Sequence, residues 1–333
     1  MGSVSILVAS VLVAPGLFAQ FKPADAQAAQ PQTNPQAAGP QAAPRMMEVP
    51  LLDCSGLPCV DLTTGSGKTL RLLVDLGEAN AYIDVKAAQS LGLQMQALKG
   101  SDGRDINQVQ QTIVPGAKLG DLPLGDFPFM VLDTTPQADS PGEKLESLPG
   151  DGALTYGAFK NRIVQIDAGN HVLRISEPQP GPQPCPRECT DLVIKHVGHW
   201  GPVTLTTTGF SVNGQPIEAQ LDTLFTGTLL VYPNSVEKLS LKKESKAKPK
   251  EMFPFIGNGM KLARADSGTI AYSGISLLDG GPLYFGTKDA NLPQTQFDAT
   301  AGFALLSRAP ATFDFKGMHF WMDPAKTDST APQ

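Results

Sequence analysis

The chain has 333 residues, of which 17% are charged and 7% aromatic, with 33 Gly, 29 Pro and a formal net charge of −6. That length allows one large or two medium domains with full cores, and a Gly- and Pro-rich, charge-poor composition suits a turn-rich β protein better than a helical bundle. The acidic balance, with no long basic run, argues against a nucleic-acid partner.

Residues 1–26 read as an export signal or an N-terminal anchor. Val4 to Ala19 is mostly apolar, broken by Pro15-Gly16, and too short for a membrane span of ordinary length. Cleavage after Ala19 and after Ala26 are both open, Ala24-Asp25-Ala26 having the small-x-small form. No Lys or Arg precedes the apolar run, so membrane attachment through this segment stays an alternative to cleavage. Either route predicts an exported chain, periplasmic or extracellular. Residues 27–47, rich in Ala, Gln and Pro, have too little apolar surface to offset the entropy of ordering and read as a flexible tether.

A first β-rich lobe is predicted over residues 48–178. Strand-like Val60–Leu62 and Leu70–Val74 flank the turn Thr63–Thr69. Its end, Gly67-Lys68-Thr69, imitates a phosphate-binding loop, but position 62 is Leu where that loop needs Gly, and a strand follows where it needs a helix. A hairpin turn is the reading that remains. The next strand, Leu72-Leu73-Val74, drives Asp75 into the tight turn Leu76-Gly77-Glu78-Ala79. A lone carboxylate at the end of a buried strand is costly, so Asp75 needs a partner. Val85–Leu93 reads as a short helix ending near Gly92. Ile113-Val114, Ala117–Gly120 and Phe127–Leu132 look like strands, and 133–150 like a polar loop. Gly152–Gly157 then leads into a hairpin, Ile163–Asp167 and Val172–Ile175 around Ala168-Gly169-Asn170. Residues 179–189 are a Pro-rich linker, 190–323 a second lobe and 324–333 a tail.

The second lobe repeats the first. Asp222, in Gln220-Leu221-Asp222-Thr223-Leu224, lies 147 positions after Asp75; Asp314 lies 147 after Asp167, and Gly214 lies 147 after Gly67. Leu239-Ser240-Leu241 answers Leu91-Gly92-Leu93 at 148. Landmarks in register predict a duplicated unit, hence two lobes about an approximate two-fold axis.

Cys54/Cys59 and Cys185/Cys189 sit as close pairs in turn-like sequence. Two local disulfides fit an exported chain, with a four-thiolate zinc site as the competing reading. His196-Val197-Gly198-His199 is read as structural or surface histidines in preference to a metal pair. Lys242–Lys250 is a basic, solvated loop, and no Gly-x-Ser-x-Gly elbow supports a serine hydrolase.

Equivalent turns meeting at a two-fold axis bring Asp75 and Asp222 together. Two such carboxyls cannot both ionise cheaply, so they share a proton. One then serves as base on a water and the other as acid on a carbonyl oxygen. On these residues the chain resembles the bilobal aspartic protease superfamily, most of all its bacterial retropepsin-like aspartyl protease members, over roughly residues 48–323. That family's motif is apolar-apolar-Asp-Thr-Gly-[Ser/Ala]-[Ser/Thr]. Asp151-Gly152-Ala153-Leu154 with Phe159 is similar to its later Asp-Gly-Ile-Leu-Gly-x-x-Phe element, and Asp298–Gly302 is a weaker echo. The resemblance implies an all-β, two-lobed aspartic protease fold built from a duplicated β-rich unit with short helices. It implies catalytic Asp75 and Asp222, supporting Gly77, Thr223 and Thr226, a peptide or protein substrate, no cofactor or metal, and a monomer that supplies both lobes. The departures are specific. Leu76 replaces the family Thr whose hydroxyl bonds across the axis, Ala79 replaces a supporting hydroxyl, Leu224 replaces the motif Gly, and Thr155 replaces a later Gly kept at Gly302. A degenerate homologue that binds peptide or protein without cutting is therefore the alternative, and a zinc-stapled structural module a distant third.

Overall fold

The protein is described by a computed structural model, covering residues 45–99, 104–135, 148–179, 181, 185, 188–196, 203–239, 241, 250–251, 261–286 and 295–324. The export segment 1–26, nearly all of the tether and tail, His199 and most of the basic loop lie outside the described residues.

The first lobe contains β1 (Met46–Pro50), β2 (Leu52–Cys54), β3 (Leu57–Thr63), β4 (Thr69–Asp75), β5 (Tyr82–Asp84), β6 (Gln96–Lys99), β7 (Asp105–Leu119), β8 (Leu122–Leu132), β9 (Gly152–Thr155), β10 (Ile163–Asp167) and β11 (Val172–Ser176). The second contains β12 (Thr190–Asp191), β13 (Val193–His196), β14 (Val203–Val212), β15 (Gln215–Asp222), β16 (Leu229–Val231), β17 (Lys250–Glu251), β18 (Lys261–Tyr272), β19 (Ile275–Gly286), β20 (Ala299–Gly302), β21 (Ala311–Asp314) and β22 (His319–Met322). Among the described residues, helices are confined to α1 (Val85–Ser90), α2 (Pro233–Val236), α3 (Phe303–Leu306) and single turns. The fold is all-β and two-lobed.

Two details differ from the sequence reading. β1 opens at Met46, inside the stretch read as tether, because Met46 and Met47 pair with Ser176 and Ile175 of β11. Ile113-Val114 and Ala117–Leu119 belong to one long strand, β7, whose register shifts between Val114 and Ala117. Pro115 and Gly116 fall at that irregularity, where a break in the ladder tolerates a residue without an N–H.

The duplication is visible in the topology. One eight-stranded sheet runs β2-β3-β4-β9-β5-β8-β7-β6 and the other β13-β14-β15-β20-β16-β19-β18-β17, so the orders correspond strand for strand. A six-stranded sheet, β1-β11-β10-β21-β22-β12, joins the lobes. At its centre β10 pairs antiparallel with β21, and Gln165 stands opposite Thr312. Those residues are 147 apart and joined by a 3.0 Å side-chain bond, so the two-fold axis passes between them.

Individual hydrogen bonds repeat at the same spacing. Asp151 accepts from the Arg71 N–H at 2.8 Å, and Asp298 accepts from the Glu218 N–H at 3.0 Å. Leu93 donates to the Ala88 carbonyl as Leu241 does to that of Val236, both at 3.1 Å, which fixes the 148 spacing after one inserted residue. Gly67 and Gly214 hold φ of +79° and +77° in matching hairpin turns, a left-handed geometry that disfavours side chains. The phosphate-loop imitation is thus a hairpin turn leading into β4.

Alternate positions on the strands are apolar and buried. Val60, Leu62, Leu70, Leu72 and Val74 of the first lobe, and Phe210, Val212, Ile217, Ala219 and Leu221 of the second, enter one continuous core.

Both cysteine pairs are disulfides, Cys54–Cys59 with Cα atoms 6.0 Å apart and Cys185–Cys189 with Cα atoms 5.9 Å apart, so the four-thiolate zinc reading falls. Cys54–Cys59 ties the short β2–β3 hairpin, in which Leu52 faces Cys59 and Cys54 faces Leu57. Replacing both cysteines by Ala is expected to cost about 2 kcal/mol through loop-closure entropy. Urea unfolding of the variant beside the parent measures it; equal midpoints would show that the hairpin holds without the bridge.

Candidate active site

Asp75 ends β4 and Asp222 ends β15. Each of these strands runs parallel to the short strand that follows its motif, so Asp75 stands opposite Thr155 of β9 and Asp222 opposite Gly302 of β20. The turns after both aspartates fold back so that backbone N–H groups bond the carboxylate. Gly77 and Glu78 do this for Asp75. Leu224 and Phe225 do it for Asp222 Oδ1, at 2.9 and 3.0 Å.

The two turns interlock through Thr223. Its hydroxyl accepts the Leu76 N–H at 3.1 Å and donates to the Val74 carbonyl at 2.6 Å, gripping the backbone on both sides of Asp75. Leu76 has no hydroxyl to return the contact, and its side chain is fully buried in the core. Only half of a reciprocal clasp is therefore built.

Gly77 is required where it stands, because a Cβ there would lie 2.3 Å from the Leu221 carbonyl of the other lobe. Its own carbonyl accepts the Thr204 hydroxyl at 3.2 Å. The mirror position behaves differently. Leu224 packs onto an apolar cluster containing Leu57, Leu73, Tyr82 and Ala153. Leu57 is the repeat counterpart of Thr204, both sitting 147 residues apart on equivalent strands. A polar contact on one side of the axis is thus an apolar one on the other, and Leu224 fits its surroundings.

Thr226, the other residue read as supporting Asp222, lies in the turn that follows it, where the Leu224 and Phe225 N–H groups bond the carboxylate. At the later position, a Cβ on Gly302 would lie 2.3 Å from the Gly227 carbonyl and 2.5 Å from both the carbonyl and the ring of Phe225, so Gly is enforced there. In the first lobe the residue matching Phe225 is Glu78, and Thr155 fits, donating to the Ala79 carbonyl at 3.0 Å.

Two residues at the site were not singled out from the sequence. Glu78 is a third carboxyl beside Asp75 and Asp222, and Tyr82 is a phenol that feels all three. The available signal was the repeat itself, since the matching residues Phe225 and Leu229 are apolar.

Burial dominates the electrostatics. Asp75 is only 4% exposed, and burial, then the Asp222 charge, raises its pKa well above the ordinary carboxylate value against the pull of its two N–H bonds. Burial likewise raises Asp222, opposed by the Leu224 and Phe225 N–H groups. Glu78 is raised well above its usual value by burial, then by Asp75 and Asp222. The arrangement can hold a shared proton between facing carboxyls, and among the described residues no His/Cys/Asp/Glu group is arranged to hold a metal ion.

No protein-family model and no characterised protein matches the sequence. Among solved structures, the chain is similar to an aspartic proteinase from Irpex lacteus (12% identity, TM-score 0.44, covering 87% of this chain and 100% of that one). It is also similar to basic 7S globulin from soybean (12%, 0.43, 85% and 96%). A third likeness is to conglutin gamma, a basic 7S globulin from lupine seeds (12%, 0.46, 84% and 94%). At that similarity nothing is transferred from these proteins to this chain.

Proposed function

We propose that the chain is an aspartic-type endopeptidase of the bilobal aspartic protease superfamily, of the retropepsin-like kind, in which Asp75 and Asp222 activate a water to hydrolyse a peptide bond. The observation that carries this reading is the pair of carboxyls, Asp75 buried and Asp222 partly so, on interlocked, repeat-related turns, gripped by Thr223 on both sides of Asp75. Asp75 is buried whereas Asp222 keeps a partly exposed edge, and burial disfavours the charged form, so Asp75 holds the shared proton and acts as the acid on the peptide carbonyl. Asp222 is the base that takes a proton from the water, which then attacks the carbonyl carbon. Proton return to the leaving amine completes the cycle without a covalent intermediate or cofactor. Gly77 and Thr223 position the pair. Two disulfides suit an exported chain in an oxidising compartment. Because one chain supplies both aspartates, it acts as a monomer.

The second reading, a cleft that binds peptide or protein without cutting, is favoured by the unreturned clasp at Leu76 and by the packing of Leu224. One assay separates the two: peptide cleavage across acid pH by the mature chain, with and without a statine-type inhibitor. Inhibitor-sensitive cleavage is expected. Peptide binding with no cleavage at any pH would select the second reading.

A further inference from the structure

Glu78 sets this cleft apart from a simple carboxylate pair. We propose that Glu78, with the Tyr82 hydroxyl, receives a cationic side chain, Lys or Arg, of the peptide lying in the cleft, beside the Asp75–Asp222 pair; the inference rests on the peptide-cleft reading above.

Four observations support it. Among the described residues, none of the three carboxyls has an ion-pair partner, and the groups that perturb them include no Lys, Arg or His. Three facing acids with no counter-charge must hold protons or take up a cation. Second, Tyr82 is only 9% exposed, and its Oη has no hydrogen-bond partner. A buried phenol oxygen is ordinarily paired, and this one is near the three acids without bonding any of them. An ammonium or guanidinium offers donors to both the Glu78 carboxyl and the unpartnered Tyr82 oxygen. Third, the repeat supplies an internal contrast. Phe225 and Leu229, which match Glu78 and Tyr82, are both fully buried. The acidity is therefore one-sided and extends the dyad in one direction along the cleft. Fourth, Glu78 and Asp222 each keep a partly exposed edge, so a peptide group can reach them from solvent. The acids are not clustered as a metal site among the described residues, which favours an extended organic cation over a bare ion.

The test uses N-acetylated, C-amidated peptides that differ at a single scanned position, carrying Lys, Arg, norleucine or Glu. Binding is read by fluorescence anisotropy, and cleavage is read in parallel. Capping leaves the scanned residue as the only source of positive charge. At one position the wild-type chain should prefer Lys or Arg over norleucine by about tenfold or more, the low end for close, desolvated charge pairs, and should reject Glu. Glu78→Gln, matched in shape, should reduce the Lys-to-norleucine ratio to about one, and Tyr82→Phe should reduce it in part. The wild-type ratio stands whether or not either variant folds. Peptide binding with no Lys preference at any position would overturn the inference alone. So would a preference that survives in folded Glu78→Gln, or an uncapped α-amino terminus that binds as tightly as lysine. Failure of every peptide to bind would overturn the peptide reading and the inference with it.

Discussion

Asp75→Asn and Asp222→Asn are each expected to reduce peptide cleavage by about 10²–10⁴-fold, the usual worth of a positioned acid or base. An amide can neither accept the proton of the water nor hold the shared one. Each variant should still fold, because Asn is similar in shape and the Thr223 clasp grips backbone rather than the Asp75 side chain. Stability should change in a defined direction. The folded pKa of Asp75 lies well above its unfolded value, chiefly through burial, and that of Asp222 is raised for the same reason. A group of this kind contributes stability that is fully present below the unfolded pKa, near pH 4, and is lost as pH rises through the folded value. Replacing it by a neutral residue removes that loss. The stability of Asp75→Asn relative to wild type should therefore increase as pH rises from 4 toward 7. Asp84, Asp167 and Asp298 are lowered by hydrogen bonds and ion pairs and act in the opposite sense, but they are common to both proteins and cancel in the difference. Cleavage that persists in either folded variant would remove that aspartate from the proposed chemistry. A stability difference that is flat across the range would contradict the buried, charge-coupled placement of Asp75.

The duplication was legible because it rests on features that sequence expresses directly: apolar strands of period two, Gly at matching left-handed turns, and a constant spacing between them. The same spacing located both aspartates. Thr223 and Gly77 were named through the family resemblance, and the structure gives each a physical reason, a hydroxyl bonding across the axis and a backbone-to-backbone approach. What sequence did not express was compensation across the axis. Leu224 reads as damage to a glycine motif, yet it packs onto the apolar cluster that contains Leu57, far away in the chain. Gly302 is enforced by the Gly227 and Phe225 carbonyls and the Phe225 ring that crowd it, a close approach that the sequence does not display. Tyr82 was hidden because a Tyr opening a buried strand looks like ordinary core; only its unpartnered oxygen, visible in three dimensions, distinguishes it.

Thr223→Val is expected to be the most damaging change outside the carboxyl groups. Val matches Thr in shape but can neither accept the Leu76 N–H nor donate to the Val74 carbonyl, the bonds that join the two turns. Thr223 and Leu76 are both fully buried, so water cannot readily replace the lost partner. Losing one bond and stranding a buried N–H should together cost about 2–4 kcal/mol. Thr223→Ser keeps the hydroxyl and should lie much closer to wild type, which separates the clasp from simple packing. Cleavage should decline with the clasp, because both carboxyls sit one residue away from it. The reverse experiment is Leu76→Thr. By the two-fold relation, the new hydroxyl would face the Leu221 carbonyl and the Thr223 N–H and complete the clasp. It also removes a fully buried Leu side chain from the core, so a net loss of stability of up to about 2 kcal/mol is expected. If the second half-clasp matters chiefly in the transition state, about 1.5–3 kcal/mol of added stabilisation there would raise cleavage roughly tenfold to hundredfold despite that loss. Urea unfolding and cleavage rates for the three variants test both halves together. Equal stability for Val and Ser at position 223 would mean that the hydroxyl joins nothing of consequence. A folded Leu76→Thr variant no faster than the parent would mean that one half of the clasp is sufficient for this site.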